Sequence, residues 1–177
     1  MATIDFVETP RLIGRPPTPA DFSLLCQLHQ NAAVTATLGG SLSDEQVRQR
    51  LADHIAHFNR HGYGLWIFCS KADGSFVGRG GLRNVFVGGH DEVEVGYALL
   101  PEFWNQGLAT EIAQASVKIG FGECQLSQLV SFTLPTNVPS QRVMEKAGFH
   151  FERDIVYKDL PHVLYRQKRG AHLAHGN

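Results

Sequence analysis

The 177-residue sequence has few of the features that would mark it as secreted, membrane-spanning or nucleic-acid-binding. It has only three cysteines, Cys26, Cys69 and Cys124, odd in number and far apart. They match no disulfide framework and no zinc-ligand spacing, so free thiols in a reducing compartment are expected. Charge of one sign is not in excess: 16 Lys and Arg stand against 17 Asp and Glu, and the halves are balanced as well. That excludes the basic footprint of a nucleic-acid binder. The best apolar stretch, at 65–69, is strand length and far short of the roughly 20 residues that cross a bilayer. The opening MATIDFVETP lacks a basic segment followed by an apolar run, so no signal peptide and a cytoplasmic location are expected. No repeat, low-complexity run or linker divides the chain. The phosphate loop G-x-x-x-x-G-K-[ST] is absent, and the glycines at 78–81 fall inside a strand pattern rather than before a helix.

What remains is ordinary globular composition, 43% hydrophobic and 19% charged, and enough chain to bury roughly 70% of its unfolded surface. One domain over 1–169 is expected, followed by a flexible polar tail at 170–177. A short strand over 11–15 ends at Pro16 and Pro17. Thr18, Pro19 and Asp21 then start a helix running to about 30, with Phe22, Leu25 and Leu28 on its apolar face. Ser43 and Gln46 form a capping box, flanked by a Leu42–Val47 staple, for a helix ending at His61-Gly62. Strands follow over 64–70, 76–87 and 93–100. A helix over 107–121 carries Leu108, Ile112, Ala115 and Ile119 at helical spacing. A strand over 129–133 comes next, then a helix over 138–147 closed by Gly148, and a final hairpin of 151–157 and 163–167. The order β-α-α-β-β-β-α-β-α-β-β implies a mixed α/β sheet with antiparallel hairpins, one parallel crossover and helices on both faces.

The segment VEVGYALLPEFWNQGLATE carries the chemistry. A strand ends at Pro101, and Gly107, Leu108, Ala109 and Thr110 open a helix. Small residues there let a ligand approach unpaired N–H groups at the positive end of the helix dipole, which suits phosphate; close helix packing is the alternative use of such residues.

FWNQGLATE, followed by TNVPSQRVMEKAGF, resembles the GNAT N-acetyltransferase superfamily. The opening ETPRLIGRPPTPAD resembles the start of its RimJ/RimL-like branch, the ribosomal-protein N-acetyltransferases. The resemblance covers essentially the whole chain and implies the GNAT fold, acetyl-CoA as co-substrate and no metal. It implies that the backbone of Gln106, Gly107, Leu108, Ala109 and Thr110 cradles the diphosphate. It also implies that the pantetheine arm pairs with the strand around Ala98, Leu99 and Leu100, and that Asn137 hydrogen-bonds that arm. Trp104 departs from the superfamily's usual first loop residue but fits the Rim-like branch.

For proton movement, Glu94 matches the position of a general base in histone-acetylating relatives; it is otherwise a carboxylate that only positions the substrate. Met144 stands where many members carry a tyrosine that protonates the thiolate, and methionine has no proton to give. In the Rim-like branch a serine matching Ser140 takes that role, although its place also suits helix capping. Arg142 and Lys146, four apart, either reach CoA phosphates or remain solvated. His54, His57 and His61 share a helix face with no third ligand pattern for a metal. Phe86, His90 and Tyr97 are further pocket candidates, each with core packing or loop exposure as the alternative.

The expected activity is direct acetyl transfer to a primary amine, either a protein N-terminus or a small-molecule amine, with neither nucleic acid nor membrane as partner. The sheet faces would allow a homodimer that nothing in the sequence requires. The rival from another class is a catalytically silent CoA-binding sensor.

Overall fold

The computed structural model describes residues 3–170. Strands β1 (Val7–Glu8) and β2 (Leu12–Arg15) lead into a 3-10 turn (Pro19–Asp21) and helices α1 (Phe22–His29), α2 (Ala32–Thr35) and α3 (Asp44–His61). Strands β3 (Leu65–Ser70), β4 (Phe76–Val87) and β5 (His90–Leu99) follow, then α4 (Leu108–Phe121), β6 (Gln128–Thr133), α5 (Val138–Lys146), β7 (His150–Tyr157) and β8 (Leu160–Lys168). They form one eight-stranded sheet in the order β1-β2-β3-β4-β5-β6-β8-β7. Every neighbouring pair is antiparallel except β5 and β6, which meet in parallel at Glu94 and Val130.

Local signals set most boundaries. Ser43 and Gln46 cap α3 reciprocally, and Gly62 ends it in the left-handed conformation. The predicted first helix is instead a 3-10 turn running into α1. Asp21, buried beneath it, is drawn to Arg15 at 2.5 and 2.8 Å and to the Thr18 N–H at 2.7 Å. Two short elements escaped the sequence reading: β1, two residues long, and α2, whose cap is the Asn31 side-chain Oδ1 accepting from the Ala33 and Val34 N–H groups. The last hairpin turns at Lys158 and Asp159, both at positive φ, as a two-residue hairpin turn requires. Strand β8 therefore begins before Pro161. That proline is tolerated because β8 pairs with β6 only from Val163 onward and has one neighbour until then. Except for Gly170, the expected tail lies outside the described residues.

The core has two layers. On one face α4 and α5 bring Ile112, Val117, Met144 and Ala147 against Leu82, Val95, Leu99 and Leu129. On the other, Leu25, Val47 and Leu51 of α1 and α3 cover Ile67, while Leu28 and Val34 of α1 and α2 cover Ala98 and Leu100. Ile112 is fully buried at the centre, and truncating such a side chain to alanine costs about 2–5 kcal/mol.

Candidate active site

The sheet opens where β5 loses β6. After the Glu94–Val130 contact, the Ser131 hydroxyl donates to the Val95 carbonyl at 2.8 Å, and no further pair joins the two strands. Backbone groups alternate sides along a strand. Val95, Tyr97 and Leu99 therefore face the gap, while Leu100 turns to β4 and donates its N–H to Val77 at 2.9 Å. Of the three residues expected to receive a pantetheine arm, only Leu99 directs its backbone into the gap. Ala98 and Leu100 face the neighbouring strand, and Tyr97 joins Leu99 in their stead. The indole N–H of Trp104 donates to the Leu99 carbonyl at 2.8 Å, tying the loop to the strand end.

At the mouth of this gap the loop before α4 is exposed. Asn105 and Gly107 both sit at positive φ, 58° and 79°, with Gln106 between them, a conformation that curves successive N–H groups to one side. The first N–H of the region to find a helical acceptor is that of Glu111, bonded to the Gly107 carbonyl at 3.1 Å. Among the described residues the N–H groups of Gln106, Gly107, Leu108, Ala109 and Thr110 have no partner, so five donors converge at a 14-residue helix N-terminus. The loop is braced from the turn between β1 and β2. Arg11 donates to the Gln106 carbonyl at 2.7 Å and to Glu111 at 2.6 Å, and Glu111 also accepts from Thr9 at 2.7 Å. Burial works against the Glu111 charge, but the Thr9 and Arg11 contacts outweigh it and hold its carboxyl below the usual range.

Across the gap stands α5. Asn137 is its cap: Oδ1 accepts from the Ser140 N–H at 3.3 Å while Nδ2 donates to Thr133 at 3.0 Å. Capping thus falls to Asn137 rather than to Ser140, whose hydroxyl is left for the phenol of Tyr97. The Tyr97 OH lies 3.0 Å from Ser140 Oγ and donates to the Ser140 carbonyl at 3.0 Å. Burial raises the Tyr97 pKa above its ordinary value, keeping the phenol protonated. Met144 is 2% exposed and packed in the core. The Tyr97–Ser140 contact crosses 43 positions of sequence, a separation that no local pattern reports.

Glu94 lies on the opposite face of β5 from Tyr97, as their odd spacing requires. It is buried, and both guanidinium contacts from Arg83, directly across on β4, fall on Oε2, with Nε at 2.9 Å. The other oxygen, Oε1, is left for a second partner. Arg83 is a residue the sequence reading did not single out, because only the β4–β5 register brings it to Glu94.

The remaining candidates separate from this group. Arg142 and Lys146 are exposed on α5. His57 is held at Tyr63 and Asn84, both at 3.0 Å, with His61 stacked 4.5 Å away. His54, on the same helix, is turned inward instead. Phe86 is 67% exposed near the β4–β5 turn, and His90 is also exposed there, one strand end away from the gap.

Comparison with known proteins bears on the whole arrangement. The acetyltransferase (GNAT) domain family matches residues 11–150, a span that contains the loop, the β5–β6 gap and the α5 cap. The uncharacterized protein YkkB of Bacillus subtilis is 34% identical over 112 residues, covering 62% of this chain and 65% of YkkB, just short of two thirds of its length. The uncharacterized N-acetyltransferase YoaA, also of Bacillus subtilis, is 28% identical over 148 residues, covering 82% and 83% of the two chains. A GNAT-family acetyltransferase structure from Bacillus anthracis superposes with a TM-score of 0.78 at 25% identity, over 92% of this chain and 98% of that one. RimL, a ribosomal L7/L12 alpha-N-protein acetyltransferase in complex with coenzyme A, shares the fold at 17% identity and a TM-score of 0.76, over 94% and 99%. This chain belongs to the GNAT acetyltransferase domain family.

Proposed function

We propose that the protein is an acetyl-CoA-dependent N-acetyltransferase that moves the acetyl group directly to a primary amine in a ternary complex. The observation that carries this reading is the run of five unpaired N–H groups, Gln106 to Thr110, at the head of the gap between β5 and β6. Donors fixed in this way suit a diphosphate, and an open strand edge beside them suits an extended amide-bearing arm, which would add to β5 as a further strand. The edge groups of Tyr97 and Leu99, with Asn137 opposite, are the residues to receive that arm. Arg142 is close in sequence to this end of α5 and would serve only as a long-range cation.

The chemistry needs a neutral amine and a proton for the departing sulfur. The amine nitrogen attacks the thioester carbon, the C–N bond forms, the C–S bond breaks, and the sulfur leaves as a thiolate. Glu94 offers Oε1 on the face covered by α1, α2 and α3, where it holds the incoming ammonium or takes its proton. Ser140 meets the gap from the α5 side, its hydroxyl oriented by Tyr97, and gives a proton to the thiolate while recovering one from the nitrogen, which sheds its second proton as the amide forms. The two groups thus flank the strand edge from opposite faces, one for the attacking atom and one for the leaving atom.

The start ETPRLIGRPPTPAD and the loop residue Trp104 support the RimJ/RimL-like branch. The acceptor is then a protein N-terminus or a small-molecule amine, and the three unpaired thiols fit a cytoplasmic enzyme. Calorimetric titration with acetyl-CoA, followed by thiol release against amines and N-terminal peptides, tests the reading. Micromolar binding with release on one acceptor class is expected. Binding without release from any amine would favour a silent CoA sensor, and no binding would remove the loop assignment.

A further inference from the structure

The face of the sheet under α1, α2 and α3 carries a polar cluster that acetyl transfer itself does not use. Arg79 lies on β4 directly between Ile67 of β3 and Ala98 of β5, the two residues those helices cover. It is 8% exposed, its Nε is buried without a partner, and among the described residues it forms no ion pair. Three other arginines that the fold partly or largely covers are paired, Arg15 with Asp21, Arg83 with Glu94 and Arg166 with Glu92; Arg50 on α3 is less covered than Arg79 and, among the described residues, also forms no ion pair. A guanidinium left alone in a protein interior is costly, and structural arginines are given carboxylates to offset that cost.

The surroundings sharpen the point. Burial, then the charges of Arg83 and Arg50, push the Arg79 guanidinium down to about 9. Two imbalances meet it from the covering helices. Nε2 of His29 on α1 and Nε2 of His54 on α3 are buried with no partner among the described residues. Burial above all holds these imidazoles at about 3 and about 2, so both are neutral at neutral pH and free to donate an N–H. Lys158, on the β7–β8 turn, is close enough for Arg50 and Arg83 to oppose its charge. The carboxylates in reach are Asp53, beside Arg50, and Glu94, half taken by Arg83. Between Glu94 and Ala98 lies Gly96, itself partly exposed, where the three atoms nearest to an added Cβ all belong to the Glu94 side chain, Oε1 first at 3.4 Å.

We infer, on the basis of the transferase reading above, that the acceptor is an amine that carries a carboxylate, its nitrogen lying over Gly96 beside Glu94 Oε1 and its anionic group on Arg79. The anion supplies the partner that the chain withholds from Arg79, and the two neutral imidazoles add donors to it. Polyamines and other polycationic acceptors are disfavoured by the same charges. The carboxylate is either that of a free amino acid or the side chain of an acidic residue at a peptide N-terminus.

Matched acceptors decide it: amino acids against their methyl esters, peptides beginning with Asp or Glu against Asn or Gln, and spermidine, all assayed by thiol release from acetyl-CoA. The carboxylate member of at least one series should exceed its neutral partner by about tenfold or more in kcat/KM, as expected for a charge-assisted bond. Whichever series shows the difference identifies the source of the carboxylate. In Arg79→Gln that ratio falls towards one while KM for acetyl-CoA stays put, and Arg79→Lys retains part of it. If Arg79→Gln does not fold, wild-type protein still decides through the same pairs and through a larger Tm rise with the free amino acid or acidic peptide than with its neutral partner. Equal rates for acid and neutral members, or a panel led by spermidine, would overturn the inference alone. Bound acetyl-CoA with no release from any amine, or failure to bind acetyl-CoA at all, would overturn the transferase reading and the inference with it.

Discussion

The two sides of the strand edge are built from different materials. On the α4 side the candidate binding groups are main-chain N–H groups, unpaired because a helix begins there and set by the positive φ of Asn105 and Gly107. On the α1–α3 side they are side chains, Glu94, Arg79, Arg83 and His54, assembled from three elements. Backbone groups suit what every co-substrate of a family shares, in the proposed reading a diphosphate. Side chains can be exchanged one at a time without disturbing the fold, so the proposed reading assigns the choice of acceptor to that side.

Substitutions can break this contrast at either end. The largest effect should come from Gly107→Glu. Position 107 needs a left-handed conformation, φ 79°, and a Cβ there meets Arg11 Nη2 at 3.4 Å. The new carboxylate would lie among the donors meant for phosphate. Calorimetry should then show acetyl-CoA affinity reduced by about a hundredfold or more, since several charge-assisted bonds are lost together, with folding retained by circular dichroism.

Glu94→Gln acts on the other side. It should leave acetyl-CoA affinity unchanged and lower kcat at neutral pH by on the order of a hundredfold if the carboxylate accepts the amine proton. The rate should recover as pH rises and the amine loses its proton in solution. A loss of the same size at every pH would make Glu94 a positioning residue only. Some thermal stability goes as well, because Arg83 loses its partner.

Ser140→Ala and Tyr97→Phe probe the junction between the two sides. Each should slow kcat by roughly tenfold, a modest share of what acid–base groups supply, and the double variant should be no slower than Ser140→Ala if Tyr97 acts through the serine. An additive loss would show that they act separately.

The smallest effect is a matter of pH and folding alone. His29 is held at about 3, chiefly by burial, against an ordinary value of 6.5. A depressed folded value means that the stability is present above pH 6.5 and lost as pH falls towards 3. Between pH 6.5 and 5.5 this one group costs about 1 kcal/mol. Thermal melts should show that slope, and His29→Leu should flatten part of it.

The same contrast explains what could be read from the residues beforehand. Ser43, Gln46, Gly62, Gly148 and the β4 turns announce their elements because each acts on its own neighbours in the chain. The loop from Trp104 to Thr110 was legible for the same reason: its meaning is the start of a helix. Its brace was not, since Arg11 meets Glu111 across 100 positions. Nor was the strand edge, because which of Ala98, Leu99 and Leu100 faces the gap depends on the register with β4. Arg83 and Arg79 read as ordinary strand arginines until that register brings one to Glu94 and leaves the other with nothing. Ser140 suited either a proton donor or a helix cap, and only Asn137 taking the cap leaves its hydroxyl for Tyr97.

Strand β8 lies between β6 and β7, although it is the last of the eight to be made. A nascent chain that has emerged only as far as β7 therefore holds two raw strand margins with a strand-wide vacancy between them. Such margins invite pairing with foreign strands. The sheet is sealed only once residues from Leu160 onward slot into the vacancy and pair with both margins. Closure of the sheet consequently waits on the last of its strands, and a chain that stops short of Leu160 exposes both margins.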